Sequence, residues 1–300
     1  MAAKKNKTVI VLTGPTASGK TAVAIRLAQF FNTEIISADS RQCFKELKIG
    51  VARPSEEELN KVPHHFIASH SVSDEMNASV FEKYVLEKTE GLFKKHDKIV
   101  MVGGTGLYIK AFCEGLDDIP EVSKELHQSI IDGFKTKGLQ WLQEQVAVKD
   151  PQYYQRGEMQ NPQRIMRALE VMEATGSSIL DFRKGKKAIR EFSIIKIGVG
   201  ISKEDLHRNI NTRVEEMVKA GLVEEVKELV PFKDLNALQT VGYSEIFDFL
   251  NGNTTLQKAI ELIKTNTRQY AKRQLTWFRK DQNIQWFNPD ELEKIKEALI

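Results

Sequence analysis

The sequence predicts an α/β fold: a P-loop-type parallel sheet flanked by helices, with an all-helical insertion domain. Three observations carry that expectation. Short apolar runs alternate with amphipathic segments through the first part of the chain, the pattern of βαβ units. A glycine-rich stretch, GPTASGKT, directly follows the first of these runs. Between residues 117 and 190 the strand pattern stops and only helical periodicity remains, as in KELHQSIIDGF and LQWLQEQV. The expected division is a core of residues 1–116 and 191–300, which includes the C-terminal helices, and an insertion of residues 117–190.

The first run, KTVIVLT, is β-branched and apolar, as a parallel strand buried on both faces requires. Gly14, Pro15, Thr16, Ala17, Ser18, Gly19, Lys20 and Thr21 then match the spacing of a phosphate-binding loop, and TAVAIRLAQFF continues as a helix. Backbone N–H groups wrap a phosphate only where glycine removes the Cβ clash. The helix that starts at Gly19 adds unpaired donors and its positive dipole end. Lys20 supplies a mobile cation, and the Thr21 hydroxyl is placed to reach a divalent metal.

TEIISADS, HHFIAS, KIVMVGG and, after the insertion, SIIKIGVGIS supply four further strand candidates. Ligands of parallel sheets collect beyond the carboxyl ends of the strands. The loop at Gly14, the DSRQ at 39–42 and the GGTG at 103–106 are therefore expected at one edge. Asp39 at its strand end either orients a metal, accepts a proton from a nucleophile, or with Ser40 caps the next helix. Thr105 either meets a ligand, with the preceding glycines letting the backbone approach it, or caps LYIKAFCEG. KIVMVGGTG carries glycine where an NTPase of this kind has a carboxylate for magnesium and water, and a guanine-reading NKxD is missing. A GTPase is therefore not expected.

With 44 basic and 41 acidic residues the formal net charge is +3, so a polyanion-binding signal has to be local. Lys264, Arg268, Lys272, Arg273, Arg279 and Lys280 occur with no acid between Glu261 and Asp281, and positions 264, 268 and 272 share a helix face. Such a face, interleaved with Gln269, Gln274 and Trp277, suits a phosphate backbone, or is simply a solvated surface. RKGKKAIR, from Arg183 to Arg190, is a second basic group. Cys43 and Cys113 are the only cysteines and form no CxxC pair, which excludes a disulfide framework and a thiolate zinc site. No apolar signal precedes the first strand and no run approaches 18 apolar residues, so a soluble, cytoplasmic protein with no membrane partner is expected.

With these residues the chain resembles the tRNA dimethylallyltransferases, the isopentenyl-tRNA transferase family. GPTASGKT, DSRQ, His64 with His65, VGGTGLY at 102–108, NPQRIMRALE at 161–170, VGY at 241–243 and RQYAKRQLTWFR at 268–279 follow that family's pattern in order, over nearly the whole chain. The resemblance implies that the loop grips dimethylallyl diphosphate, whose diphosphate is a leaving group. The N6 amine of a tRNA adenosine beside the anticodon then attacks the allylic carbon. Lys20, Arg213 and a Mg2+ ion would stabilise the departing charge, Asp39 would accept the N6 proton, and Thr105 would hold the amine. Asp39, Ser40, Arg41 and Gln42 would read the adenosine region. Gln160, Asn161, Pro162, Gln163 and Arg164, with Arg268, Lys272 and Arg273, would hold the anticodon stem-loop. His127 stands where the family often carries an arginine that contacts RNA, and a neutral imidazole donates fewer bonds.

Two departures bear on RNA affinity, GVARP at 50–54 where the family has GTAKP, and Ser244 after VGY where the family has a basic residue. No Cys/His finger follows the core, no obligate protein partner is evident, and a monomer is expected. Other readings keep part of this pattern: a small-molecule kinase using ATP, a prenyltransferase acting on free adenine nucleotides, or a non-catalytic RNA-binding module. His64 and His65 read as structural or as support for neighbouring site residues, Arg164 and Arg167 as intrahelical partners of Glu170 or as RNA contacts, and Trp277 as a packing residue more than a platform for a base.

Overall fold

KTVIVLT forms β1, Thr8–Thr13, buried at every position, in a computed structural model that describes residues 7–300. The start of the chain, residues 1–6, on which part of the expected compartment rests, lies outside the described residues. α1 (Lys20–Phe30) follows, then β2 (Ile35–Ser37), α2 (Glu56–Lys61), β3 (His64–His65), α3 (Ala78–Phe93), β4 (Lys98–Gly103) and α4 (Gly106–Glu114). After the insertion, β5 (Ser193–Val199) completes the pattern of apolar runs, and a short β6 (Gln285–Phe287) joins the sheet as well. The strand order is β3-β2-β4-β1-β5-β6, and every pairing is parallel. HHFIAS contributes only two strand residues. β6 escapes a sequence reading because it is three residues long and two of them, Gln285 and Trp286, are exposed.

Alternation along the strands divides the apolar core between the two faces of the sheet. Val9 and Val11 of β1 join Ile99 and Met101 of β4 in one cluster, against Phe81 and Val85 of α3 and Phe112 of α4. Ile10 and Leu12 join Val100 and Val102 in the other, against Val23, Leu27 and Ala28 of α1. The register aligns the carboxyl ends: Thr13 pairs with Gly103 on one side and Gly198 on the other, and Ser37 of β2 pairs with Val102.

The chain forms two compact units. One is the chain up to Glu114 together with Ile189–Ile300, the other Gly115–Ala188. The insertion so defined starts and ends two residues earlier than expected from sequence. At its far end the reason is Arg190, whose guanidinium donates to the Phe112 and Ala111 carbonyls and pairs with Glu82 at 2.6 Å, contacts that belong to α3 and α4. The insertion holds α5 (Lys124–Lys149, interrupted at Gly138), α6 (Pro151–Arg156), α7 (Pro162–Thr175) and α8 (Ile179–Phe182), packed around Leu142, Val146, Tyr153, Ile165 and Leu169. The first unit continues with α9 (Lys203–Lys219), α10 (Leu222–Glu228), α11 (Ser244–Leu250), α12 (Leu256–Phe278) and α13 (Leu292–Glu297).

Leu12 is wholly buried between the sheet and α1. Leu12→Ala is expected to lower the unfolding free energy by about 2–5 kcal/mol, read as a lower midpoint in urea denaturation with an unchanged slope.

Candidate active site

After β1 the chain turns at Gly14, where a Cβ would sit 2.3 Å from the Val199 carbonyl oxygen of β5. Ala17 holds φ 63°, a left-handed conformation that is uncommon outside glycine. Ser18 N donates to Pro15 O (3.4 Å), and Asn209 Nδ2 of α9 donates to Ala17 O (3.2 Å). α1 starts at Lys20 with no side-chain cap and no acid in its first turn. Its free N–H groups and positive dipole end are therefore available to an anion.

Two cations border this loop. Lys20 Nζ donates to Pro15 O at 3.1 Å. Burial and the nearby Arg213 lower its pKa to about 8, while Asp39 pulls in the opposite direction. Arg213, on α9, donates from Nη1 to Thr16 Oγ1 at 3.3 Å, and burial lowers its pKa too. Both face a cavity of ≈ 200 Å³ that Thr21, Asp39 and Gln42 also line, with Val51, Ala52 and Ile67 as its apolar wall.

Asp39 follows β2. Its Oδ1 accepts from Arg41 N (2.9 Å) and Gln42 N (3.3 Å), and Oδ2 has no hydrogen-bond partner among the described residues. These bonds close a turn and not a helix: no helix begins between β2 and α2. Ser40 N donates to Thr105 Oγ1 at 3.0 Å, so the Thr105 side chain holds the DSRQ turn and does not cap α4. Gln42 Nε2 donates to the Val51 and Ala52 carbonyls, shaping the apolar wall, and Arg41 reaches Asn236 Oδ1 at 3.4 Å.

The glycines of GGTG stand where neighbouring groups leave no room for a Cβ, and Gly103 also borders the cavity. A Cβ at Gly103 would lie 2.2 Å from Ala38 O, at Gly104 2.2 Å from Gln274 Nε2, and at Gly106 2.3 Å from Trp277 Nε1. Trp277 thus lies against Gly106 while remaining exposed. Tyr270 places its hydroxyl against Thr105, and burial pushes its pKa up to about 12. Tyr270 and Gln274 are absent from the sequence-based site. Their signal is the i, i+4, i+7 stripe of Tyr270, Gln274 and Trp277, hidden among the cations of α12.

Those cations are not equivalent. Lys264 pairs with Glu215 and Glu261 at 3.0 Å each, and Arg268 bonds Asn211 and Thr265. Lys272, Arg273 and Arg279 are exposed, with no acidic partner among the described residues.

In the insertion, His127 Nδ1 lies 2.7 Å from Oε1 of the buried Glu170, whose Oε2 takes Arg167 at 3.2 Å. Arg164 does not join this pair and is exposed, as are Gln160 and Gln163. Asn161 caps α7 and Pro162 opens it. His64 borders the cavity with Nδ1 2.7 Å from Val62 O, and His65 Nε2 sits 2.6 Å from Glu34.

Among the described residues no cluster of three or more His, Cys, Asp or Glu side chains is arranged to hold a metal, and no helix is long and apolar enough to cross a membrane. The Thr21 hydroxyl and the Asp39 carboxylate at one cavity nonetheless fit a magnesium ion that arrives with phosphate oxygens, since this ion is commonly held by few protein groups and the substrate.

A glycine-rich loop of phosphate-loop type flanked by two half-buried cations and facing one carboxylate, in a parallel sheet whose β4 ends in glycine, defines an α/β protein of the phosphate-loop class with an anion-suited cavity. The comparisons agree. The IPP transferase family model matches residues 42–281, and the chain belongs to that family. It is 50% identical over 286 residues to the tRNA dimethylallyltransferase of Christiangramia forsetii, covering 95% of each chain. Identity to the tRNA dimethylallyltransferase of Cytophaga hutchinsonii is 45%, over 97% of this chain and 95% of that one. The crystal structure of the tRNA isopentenylpyrophosphate transferase of Bacillus halodurans superposes with a TM-score of 0.72 at 32% identity, over 98% of this chain and 95% of that one. A eukaryotic dimethylallyltransferase described as acting on tRNA superposes with a TM-score of 0.80 at 25% identity, over 98% of this chain and 78% of its own.

With a pKa of about 8, Lys20 is charged in the free cavity only below that pH, whereas a bound diphosphate favours the charged form. Affinity for inorganic diphosphate is expected to be full below pH 8 and to fall as the pH rises, with proton uptake on binding. Calorimetry in buffers of different ionisation enthalpy reads both, and Lys20→Arg is expected to abolish this component.

Proposed function

We infer that this protein is a tRNA dimethylallyltransferase. It moves the dimethylallyl group of dimethylallyl diphosphate to N6 of an adenosine next to the anticodon of tRNA and releases diphosphate. The observation that carries this reading is the single cavity shared by Lys20, Arg213 and Asp39, with glycine at the end of β4 where a hydrolase needs a carboxylate. Asp39 and the phosphate loop follow β2 and β1, the two neighbours of β4. They therefore stand two strand spacings apart, about 10 Å, which leaves room for a reacting carbon and amine between them.

In this reading the diphosphate lies on residues Gly14 to Thr21, and Val51, Ala52 and Ile67 receive the five-carbon chain. N6 forms its bond to the allylic carbon as the carbon–oxygen bond breaks, and the electron pair leaves with the diphosphate. Loop N–H groups, Lys20 and Arg213 stabilise the charge that builds there. The N6 proton passes to Asp39 Oδ2, the oxygen free of turn bonds. Thr21 would hold magnesium together with diphosphate oxygens, and the ion would add Lewis-acid stabilisation of the leaving group. Thr105 and the DSRQ turn border the acceptor amine, and the target base must leave its stack to reach them. Lys272 and Arg273 supply phosphate contacts for the anticodon stem-loop, with Arg268 nearby and with Gln160, Gln163 and Arg164 of the insertion presenting a second set. His127 contributes through its Glu170 contact and not as a free cation.

Radiolabelled dimethylallyl diphosphate, magnesium and unmodified tRNA, with free AMP in parallel, test the reading. Label is expected in the tRNA. Label in AMP alone would assign the protein to free nucleotides, and ATP-dependent phosphorylation of a small acceptor would assign it to the kinases.

Asp39→Ala is expected to slow transfer by about a hundredfold or more with tRNA affinity nearly intact, measured by single-turnover kinetics beside filter binding. Lys272→Ala and Arg273→Ala are each expected to weaken tRNA binding and to reduce the slope of log affinity against log salt by about one. An unchanged slope would return these side chains to a merely solvated face.

A further inference from the structure

Gln274 is buried at 6% exposure, although the two residues before it are exposed cations. Its Oε1 accepts from Thr16 N–H in the phosphate loop at 2.8 Å, and its Nε2 donates to Gly104 O in the loop after β4 at 2.9 Å. Only this orientation of the amide satisfies both partners, because the reverse sets N–H against N–H and oxygen against oxygen. Beyond the strand pairing that ends at Thr13 and Gly103, no other hydrogen bond joins these two loops among the described residues. One turn away on α12, Tyr270 meets Thr105, which in turn holds Ser40 N–H beside Asp39.

We propose that Gln274 is a positioning residue for the transfer: its amide sets the separation between the phosphate loop and the loop that carries Thr105, and through Thr105 the placement of Asp39. The proposal rests on the reading that the diphosphate sits on Gly14 to Thr21 and the acceptor at Thr105 and Asp39. Reaction between two separately held partners depends steeply on their spacing, and a displacement of about 1 Å can cost about a hundredfold. The Thr16 N–H is occupied by Gln274, so the residue acts on where the loop stands and not by contact with the phosphates.

Gln274→Leu keeps the size and removes both bonds. Gln274→Glu supplies a pH-dependent restoration: the protonated carboxyl reproduces the amide pattern, its carbonyl accepting from Thr16 and its O–H donating to Gly104 O, whereas the ionised form opposes an oxygen to Gly104 O. Single-turnover transfer to tRNA is measured for both variants and the wild type across pH, together with affinities for inorganic diphosphate and for tRNA and the thermal midpoint. The expected result is a rate about a hundredfold lower in Gln274→Leu at near-normal affinities and with the protein folded at the assay temperature. The Gln274→Glu rate, divided by the wild-type rate at the same pH so that Asp39 and Lys20 cancel, is expected to rise as the pH falls. A wild-type rate in Gln274→Leu, a loss that only tracks weaker binding or unfolding, or a flat Gln274→Glu ratio would overturn the proposal. Failure of the wild type itself to label tRNA would overturn the functional reading, and the proposal with it.

Discussion

β1 is hydrogen-bonded in parallel along its whole length to β4 on one side and β5 on the other, and the edge on which the phosphate loop and the cavity stand descends from that pairing. Parallel neighbours end on the same edge, so the loops after β1, β2 and β4 are brought together by the sheet, and bonds such as Ser40 N–H to Thr105 Oγ1 then fix them to one another. Alternating burial holds the register. A slip by one residue would exchange Val9 and Val11 with Ile10 and Leu12 between the two faces of the core, and would carry the phosphate loop away from Gly103.

On that edge the electrostatics are deliberately incomplete. Lys20 and Arg213 are half-buried near one another, and each has a lowered pKa for the same first cause, loss of water. Asp39 is the carboxylate that offsets Lys20, and it lies across the cavity. The rigid sheet and α9 keep the two cations together against their mutual repulsion, so a polyanion that enters finds charge, free loop N–H groups and a helix dipole already arranged.

α12 faces two ways. Lys272, Arg273 and Arg279 extend into solvent, while Gln274 is buried against the glycine loop and the partly exposed Tyr270 and Trp277 contact Thr105 and Gly106. The glycines at 104 and 106 exist for those side chains: without a Cβ, the loop lets a helix from the far end of the chain come within bonding distance. A helix that carries exposed cations is thereby tied directly to the loops that border the cavity.

Residues that act within a few positions of one another were legible in the chain. The β-branched run of β1, the glycine spacing of the phosphate loop and the aspartate at the end of β2 each express local backbone preference, and the local backbone is largely settled by neighbours in sequence. Tertiary structure alone decided the rest. Arg213 meets Thr16 from 197 residues away and Gln274 meets the same residue from 258, and nothing in composition or periodicity states such a meeting. It also decided that Lys264 is neutralised by Glu215, that Thr105 holds a turn and does not cap a helix, and that a three-residue, mostly exposed segment completes the sheet as β6. The physical reason is common to these cases: which side chains share a cavity depends on how whole helices pack onto the sheet, and that packing is a sum over many buried contacts that no single stretch of sequence contains.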